Sequence, residues 1–310
     1  MRNLDAGDVS RCLDYASLVD ALDDAFRGDV TVPSRHHHTV PVSDGRDATL
    51  LLMPAWDTDF LGIKTATVMP ENAAKALPAV HATYQLLDRN TGVMLAIMDG
   101  TELTARRTAA ASALAARYLA RPGTSKLLMV GTGTLAPHLI GAHASQQPLK
   151  EVLVWGRDPS KAAAVVKGID LPNVSISATD DLHAAAEWAD IISCATLATD
   201  PLIMGAWLNN GQHIDLVGGF TPAMREADDE ALRRSRVFVD TEDAIVTAGD
   251  ICDPLERNII KEDDILGTLF TLARGETPPP RPTGDDITLF KSAGTAIEDL
   301  AAAVLAYRRA

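Results

Sequence analysis

Residues 126–159 read KLLMVGTGTLAPHLIGAHASQQPLKEVLVWGRDP, and the order of residue types in this stretch decides the fold. An apolar run, Leu127–Val130, meets Gly131-Thr132-Gly133. A segment compatible with helix follows, and a second apolar run, Val152–Trp155, ends at Gly156-Arg157. Strand, glycine turn, helix, strand is the unit that receives the pyrophosphate of a dinucleotide at a helix N-terminus, where aligned amides carry partial positive charge. Gly131 permits the tight turn, Gly133 lets backbone approach phosphate with no Cβ between, and Ala136 is the third small position, where helix and strand pack closely. Two glycines alone also fit an ordinary strand–helix turn. The second strand, about twenty residues on, favours the dinucleotide.

The alternation continues downstream. Apolar runs at Val174–Ile176, Ile191–Cys194, His213–Val217 and Val237–Val239 alternate with helical segments at Ser160–Lys167, Asp181–Trp188 and Glu226–Arg234. This predicts an α/β fold with a parallel, doubly wound Rossmann sheet. Gly218-Gly219 puts close backbone at a strand's carboxyl end, where such sheets bind ligands. Arg121-Pro122-Gly123 is the natural domain boundary, and Pro278-Pro279-Pro280-Arg281-Pro282 is a stiff connector. The dinucleotide-binding domain is therefore expected over 121–285, with 1–120 and 286–310 forming a discontinuous α+β domain. In that scheme Ile287–Lys291 is a short strand or turn. The helix Ala296–Arg308 returns to the first domain because the sheet is already complete.

Upstream of the boundary, Leu4, Val9, Tyr15, Leu18, Val19, Leu22 and Phe26 predict an amphipathic helix that Gly28 stops. Strands follow: Thr31–Arg35 leads into His36-His37-His38 and Val40-Pro41-Val42, Ser43-Asp44-Gly45 turns, then come Leu50–Met53 and Gly62–Val68. Val80–Leu87 and Val93–Met98 form another antiparallel pair around Asp88–Gly92. Three consecutive histidines suggest metal ligands. Strand neighbours point to opposite faces, however, and no acid or cysteine stands at a matching spacing, so no metal is expected. Lys64 lies in an apolar, β-branched strand. It is either a lysine whose head reaches solvent or an inward-facing cation that neutralises a bound anion. Thr104 is the expected N-cap of an Ala-rich helix running to Leu119, which places Arg106 and Arg107 in its first turn. The macrodipole disfavours cations there, so the pair is either solvated or marks anion binding.

The 310 residues suffice for two domains with sizeable cores, and 46% hydrophobic with 23% charged residues is ordinary for a soluble protein. A net charge of -14 argues against binding a nucleic-acid backbone. Cys12, Cys194 and Cys252 are scattered thiols, which suggests a reducing compartment and hence a cytoplasmic protein. The N-terminus lacks the apolar core of a signal peptide, and no apolar run is long enough for a membrane span.

NAD sites usually carry an acid at the end of the second strand to bind the ribose hydroxyl, whereas NADP sites have an arginine nearby. Here Gly156 holds the acidic position and Arg157 follows, with Asp158 late and Ser160 and Lys161 close behind. Arg157, Ser160 and Lys161 are expected to cradle a 2′-phosphate, the alternative being that Arg157 stacks on adenine. NADP(H) is expected ahead of NAD(H).

Five stretches are familiar together: GIKTATVMPEN (62–72), TGVMLAIMDGTELTARRTAAASALAARYLARP (91–122), VGTGTLA (130–136), ADIISCAT (189–196) and ITLFKSAGTAIEDLAAA (287–303). They run over nearly the whole chain, which resembles the ornithine cyclodeaminase/mu-crystallin family. The resemblance implies a homodimer with a substrate-binding and dimerisation domain, a Rossmann domain, and a small amino or imino acid as substrate. Lys64 matches the family's active-site lysine, Arg107 its arginine for the substrate carboxylate, and Arg35 an upstream carboxylate-binding arginine. The cofactor set then comprises Gly131, Thr132, Gly133, Thr134, Leu135, Arg157, Thr196, Val217, Gly218 and Lys291. Two positions depart from the cyclodeaminases. Leu51 replaces a glutamate before Met53-Pro54, and Phe220 replaces an aspartate after Val217-Gly218-Gly219.

Both lost carboxylates would handle the substrate's amines, so cyclodeaminase activity is disfavoured. The expected activity is NADPH-dependent reduction of a cyclic ketimine acid, Δ1-pyrroline-2-carboxylate or Δ1-piperideine-2-carboxylate, to proline or pipecolate. An alanine-type dehydrogenase is the first alternative, and a non-enzymatic crystallin-like role a further one. The substrate carboxylate is expected between Arg35, Lys64 and Arg107, because a buried lysine needs an anion partner.

Overall fold

The computed structural model describes residues 1–42, 45–75 and 77–310. Along the chain the elements are β1 (Arg2–Leu4), α1 (Ala6–Cys12), α2 (Tyr15–Arg27), β2 (His36–Val40), β3 (Ala48–Trp56), β4 (Phe60–Val68), β5 (Val80–Asp88), β6 (Met94–Asp99) and α3 (Gly100–Leu119). They continue with β7 (Lys126–Val130), α4 (Leu135–Gln146), β8 (Glu151–Trp155), α5 (Pro159–Lys167), β9 (Ser175–Thr179), α6 (Leu182–Trp188), β10 (Ile191–Cys194) and β11 (His213–Leu216). Last come α7 (Asp229–Arg234), β12 (Ser235–Val239), α8 (Asp243–Thr247), α9 (Gly249–Glu256), β13 (Ile265–Thr268), α10 (Leu269–Arg274), β14 (Ile287–Lys291) and α11 (Ala296–Arg309). Two compact units result, Met1–Arg107 with Thr295–Ala310, and Thr108–Gly294. No helix among the described residues is long and apolar enough to cross a membrane.

In the first unit six strands run β1-β6-β5-β4-β3-β2, antiparallel except for the parallel β1–β6 pair. Period-two burial marks one covered face: Gly62, Lys64 and Ala66 of β4 are buried. Helix α11 packs over β3, β4 and β5 and against α2. The single helix expected over the first thirty residues is instead a strand and two helices. Asp14 starts α2 afresh by accepting from the Ser17 amide at 3.0 Å, a cap worth about 1 kcal/mol. Gly28 does close it. The Ser43 and Asp44 of the expected turn lie outside the described residues.

The Ala-rich helix begins earlier than Thr104. Asp99 accepts from the Glu102 amide at 2.8 Å, and α3 starts at Gly100, where a Cβ would sit 2.7 Å from the backbone of Ala82 and Thr83. Arg106 and Arg107 therefore lie in the second turn, past the reach of the helix end.

The second unit is an eight-stranded sheet in the order β13-β12-β14-β11-β10-β7-β8-β9, parallel throughout. Strand order reverses between β7 and β10, so the carboxyl ends of these two strands form the switch point where such sheets bind ligands. Its core gathers Leu128, Val130, Ile192, Leu216, Val237 and Leu289.

Two boundaries move. Ile287–Lys291 is neither a turn nor outside the sheet: all five residues are buried and β14 pairs with β11 and β12. An apolar run on both faces suits a central parallel strand. The chain leaves this unit after Gly294, not 285, and enters it at Thr108 within α3, not at 121. Helix α7 also starts later than Glu226, which is a buried acid ahead of it.

Candidate active site

Lys64 stands mid-strand in β4, paired with Met53 of β3 and Tyr84 of β5, and is 3% exposed. Its Nζ is 2.7 Å from Asp299 Oδ2. The other Asp299 oxygen, Oδ1, is 2.9 Å from Arg107 Nε, while Arg107 Nη1 donates to Glu298 Oε2 at 2.5 Å. Glu298 and Asp299 lie in the first turn of α11, where the helix end favours carboxylates, and both are wholly buried. Two cations and two anions thus form a formally neutral buried cluster. The anion required by a buried Lys64 is supplied by the chain itself, which corrects the expectation that a substrate carboxylate alone would fill that role.

Burial lowers the Lys64 ammonium to about 8, with Asp299 pulling it back up. Burial pushes the Asp299 carboxyl up, but Lys64 and Arg107 more than offset it, so it lies below its ordinary value. Tyr84 is raised well above the usual phenol value by burial and then by Asp299 and Asp57. Its hydroxyl lies over Gly62, where a Cβ would be 1.8 Å away, and has no hydrogen-bond partner among the described residues.

Arg35 is half-buried in the segment before β2. His36 pairs with Leu52, so Arg35 enters the sheet at the level of Met53, the strand neighbour of Lys64. Leu51 is half-buried two residues before Met53, on the same side of β3. Arg106 is engaged elsewhere, with Glu102, the Leu13 carbonyl and the Ser10 hydroxyl. His36–His38 are exposed, and among the described residues no group of three or more His, Cys, Asp or Glu is placed to hold a metal.

The second unit carries the glycine turn. Gly131 has φ +122°, and a Cβ there would meet the Ala195 carbonyl oxygen at 2.5 Å, so only glycine fits. A Cβ on Gly133 would meet nothing within 4 Å, leaving open space in front of the turn. Thr134 precedes Leu135 without a side-chain cap bond, so its hydroxyl does not cover the first amides of α4. Positive-φ backbone, open space and an uncapped helix start fit a pyrophosphate.

After β8, Gly156 is buried, and a Cβ there would be 2.6 Å from Thr132 Cγ2. Arg157 is exposed. Asp158 is engaged in capping α5, accepting from the Ser160 amide at 3.0 Å and its hydroxyl at 2.6 Å. Those Ser160 bonds hold its carboxyl below the ordinary value.

At the ends of β10 and β11 the structure shows a carboxylate that sequence reasoning missed. Glu226 Oε1 accepts from the Thr196 amide (2.7 Å) and hydroxyl (2.8 Å), and Oε2 from the Gly218 amide (2.7 Å). Burial pushes its carboxyl above the ordinary value. Asp250 accepts from the Glu226 and Ala227 amides at 2.7 and 3.2 Å. Val217 donates to the Cys194 carbonyl at 2.8 Å. Lys291, assigned to the cofactor from sequence, is wholly buried. Its Nζ donates to the Leu216 carbonyl at 3.1 Å and lies 3.4 Å from Asp250, so the group it neutralises is internal. Glu226 sits in the acid-rich run EADDE, which reads as an ordinary helix start; nothing local marks it as buried.

Known proteins share both units. Residues 4–310 match the model of the ornithine cyclodeaminase/mu-crystallin family. A Δ1-pyrroline-2-carboxylate reductase from Colwellia psychrerythraea is 37% identical over 310 residues, covering 98% of this chain and 97% of that one. The Thermococcus litoralis Δ1-pyrroline-2-carboxylate reductase, solved with NADH and L-proline, superposes with a TM-score of 0.93 at 32% identity, over 100% of this chain and 97% of that one. An archaeal alanine dehydrogenase dimer with bound NAD gives 0.91 at 27% identity, over 100% and 95%.

Proposed function

The chain belongs to the ornithine cyclodeaminase/mu-crystallin family, and from that premise we propose that it is a reductase of cyclic ketimine acids, acting on Δ1-pyrroline-2-carboxylate or Δ1-piperideine-2-carboxylate. The observation that carries this reading is Lys64: a buried ammonium tuned to about 8, joined through Asp299 to Arg107. A proton donor works best when its pKa lies near the working pH.

Reduction of C=N needs a hydride on carbon and a proton on nitrogen. A bound dihydronicotinamide supplies the hydride. Gly131, Thr132, Gly133, Thr134 and Leu135 would hold the pyrophosphate. The shared carboxylate of Glu226 fixes Thr196 and Gly218 at the strand ends. Arg107, with Arg35, binds the substrate carboxylate through charge-assisted bonds. Lys64 Nζ gives its proton to the imine nitrogen and is recharged from solvent, leaving a neutral Lys64 in between. Leu51 and Phe220 offer no carboxylate, so ornithine is not a substrate.

NADPH is the proposed cofactor. Gly156 leaves no acid at the strand end, Asp158 is engaged in its cap, and Arg157 is exposed for a 2′-phosphate. The protein works as a homodimer, expected to sediment at twice the 33.0 kDa chain mass.

Absorbance at 340 nm tests the whole reading. Each imine with NADPH should be turned over, whereas pyruvate with ammonia, or ornithine with NAD+, should give little. Arg157→Ala should weaken NADPH binding by about 1.5–3 kcal/mol and leave NADH nearly unaffected. Efficient use of pyruvate with ammonia would make the protein an amino-acid dehydrogenase, and equal or better kinetics with NADH would remove the NADPH assignment.

A further inference from the structure

We propose that Asp299 is the positioning residue of this site, its two carboxylate oxygens joining the Lys64 ammonium to the Arg107 guanidinium so that both are held together for the substrate. The inference rests on Lys64 and Arg107 being the groups that meet the imino acid.

The geometry is specific. One oxygen of Asp299 is 2.7 Å from Lys64 Nζ and the other 2.9 Å from Arg107 Nε. A single carboxylate therefore fixes a side chain on β4 and one on α3. Small residues make this possible. Gly62 and Ala66 flank Lys64 on the covered face of β4, and α11 presents Ala296, Ala302, Ala303 and Ala306 among its buried positions, so helix and sheet approach closely. Asp299 sits in the first turn of α11, whose Thr295 makes no side-chain cap bond, so the helix end acts on the carboxylate itself.

The groups around Lys64 are few. Asp299 and Glu298 face it from α11, Arg107 from α3 and Tyr84 from β5, while β3 offers the apolar Met53. Asp57, in the β3–β4 connection, acts on Tyr84. Where α2 meets α11, Asp14 and Ser17 bond Arg309 at the helix's exposed end. Asp299 is thus the carboxylate in contact with Lys64. Opposing it are burial and the positive charge of Arg107, both of which disfavour the ammonium. Without Asp299, Lys64 would lose its proton before an imine arrived, and Arg107 would lose the ion-pair partner at its Nε edge.

The test uses full-length protein labelled with 13C in lysine and aspartate side chains. The Lys64 Cε signal, assigned by its absence in Lys64→Met, is titrated in wild type and in Asp299→Asn. The Lys64 midpoint should fall by roughly one pH unit or more in Asp299→Asn, the size of an opposite-charge neighbour's effect, and return toward wild type in Asp299→Glu. The alkaline limb of kcat/KM for imine reduction should move with it. A folded Asp299→Asn whose Lys64 midpoint is unmoved overturns the proposal. Should that variant not fold, the reciprocal measurement decides. The Asp299 carboxyl must titrate higher in Lys64→Met than in wild type, and an unmoved Asp299 there is equally fatal. If wild type reduces no cyclic imine, the functional reading fails by the assay, while the titrations still report whether Asp299 controls Lys64.

Discussion

Replacing Arg107 with alanine would remove the cation that pairs with both Glu298 and Asp299. Breaking a buried ion pair from one side costs about 3–5 kcal/mol, so thermal stability should fall visibly. In the protein that remains folded, KM for the imino acid should rise at least roughly tenfold, as expected for a lost charge-assisted bond, with NADPH affinity by fluorescence nearly unchanged. Arg107→Lys should recover the fold better than the affinity, because an ammonium cannot bond side-on as a guanidinium does. Wild-type kcat/KM in Arg107→Ala would remove the residue from the site. Lys64 was legible in the sequence as a cation in an apolar strand, whereas the first-turn position that singled out Arg107 moves to the second turn of α3. The partners of the two cations were not legible. Two acids in the first turn of a helix read as ordinary dipole partners, and no local pattern shows Glu298 and Asp299 meeting residues 191 or more positions away.

Strand β11 carries a pH-sensitive contact into the centre of its sheet. His213 is wholly buried, its Nδ1 is 2.9 Å from Thr288 Oγ1 of β14, and burial lowers it to about 3. Between about 3 and its ordinary 6.5 the unfolded chain binds this proton and the folded one does not. Folded stability contributed by a neutral His213 is therefore full above 6.5 and is lost as pH falls toward 3, by up to roughly 1.4 kcal/mol per pH unit. His213→Gln should flatten this acid limb: urea midpoints at pH 7, 5 and 4 should converge relative to wild type, and parallel curves would show that His213 does not titrate this way. Elements differed in legibility for physical reasons. The β7–α4–β8 unit is local and announces itself through Gly131 and its flanking apolar runs. The start of α3 at Gly100 depends on the backbone of Ala82 and Thr83, a tertiary contact that no window of sequence contains. In β14 the run ITLFK has no alternation because both faces are covered, so it gave no sign of lying between β11 and β12.

For the molecule as a whole, the sheet order separates the segment read as a domain from the unit that exists. A fragment of residues 121–285 lacks β14, which bridges β11 and β12, and should be insoluble or unfolded by circular dichroism. Extending it to 108–294 should restore a folded, cofactor-binding protein. A soluble, cooperative 121–285 fragment would contradict the central place of β14. The order of strands also sets an order in time. A ribosome delivers β11 and β12 first and leaves a gap between them, two raw strand edges that no local partner can close. At about 5–20 residues per second, seconds pass before Ile287–Lys291 emerges to fill it. The carboxylates that neutralise Lys64 come later still, in the final helix. Neither half can settle until residues 287–299 have left the ribosome, so a stop codon ahead of them yields a chain fit only for chaperones and proteases, never a partly working enzyme.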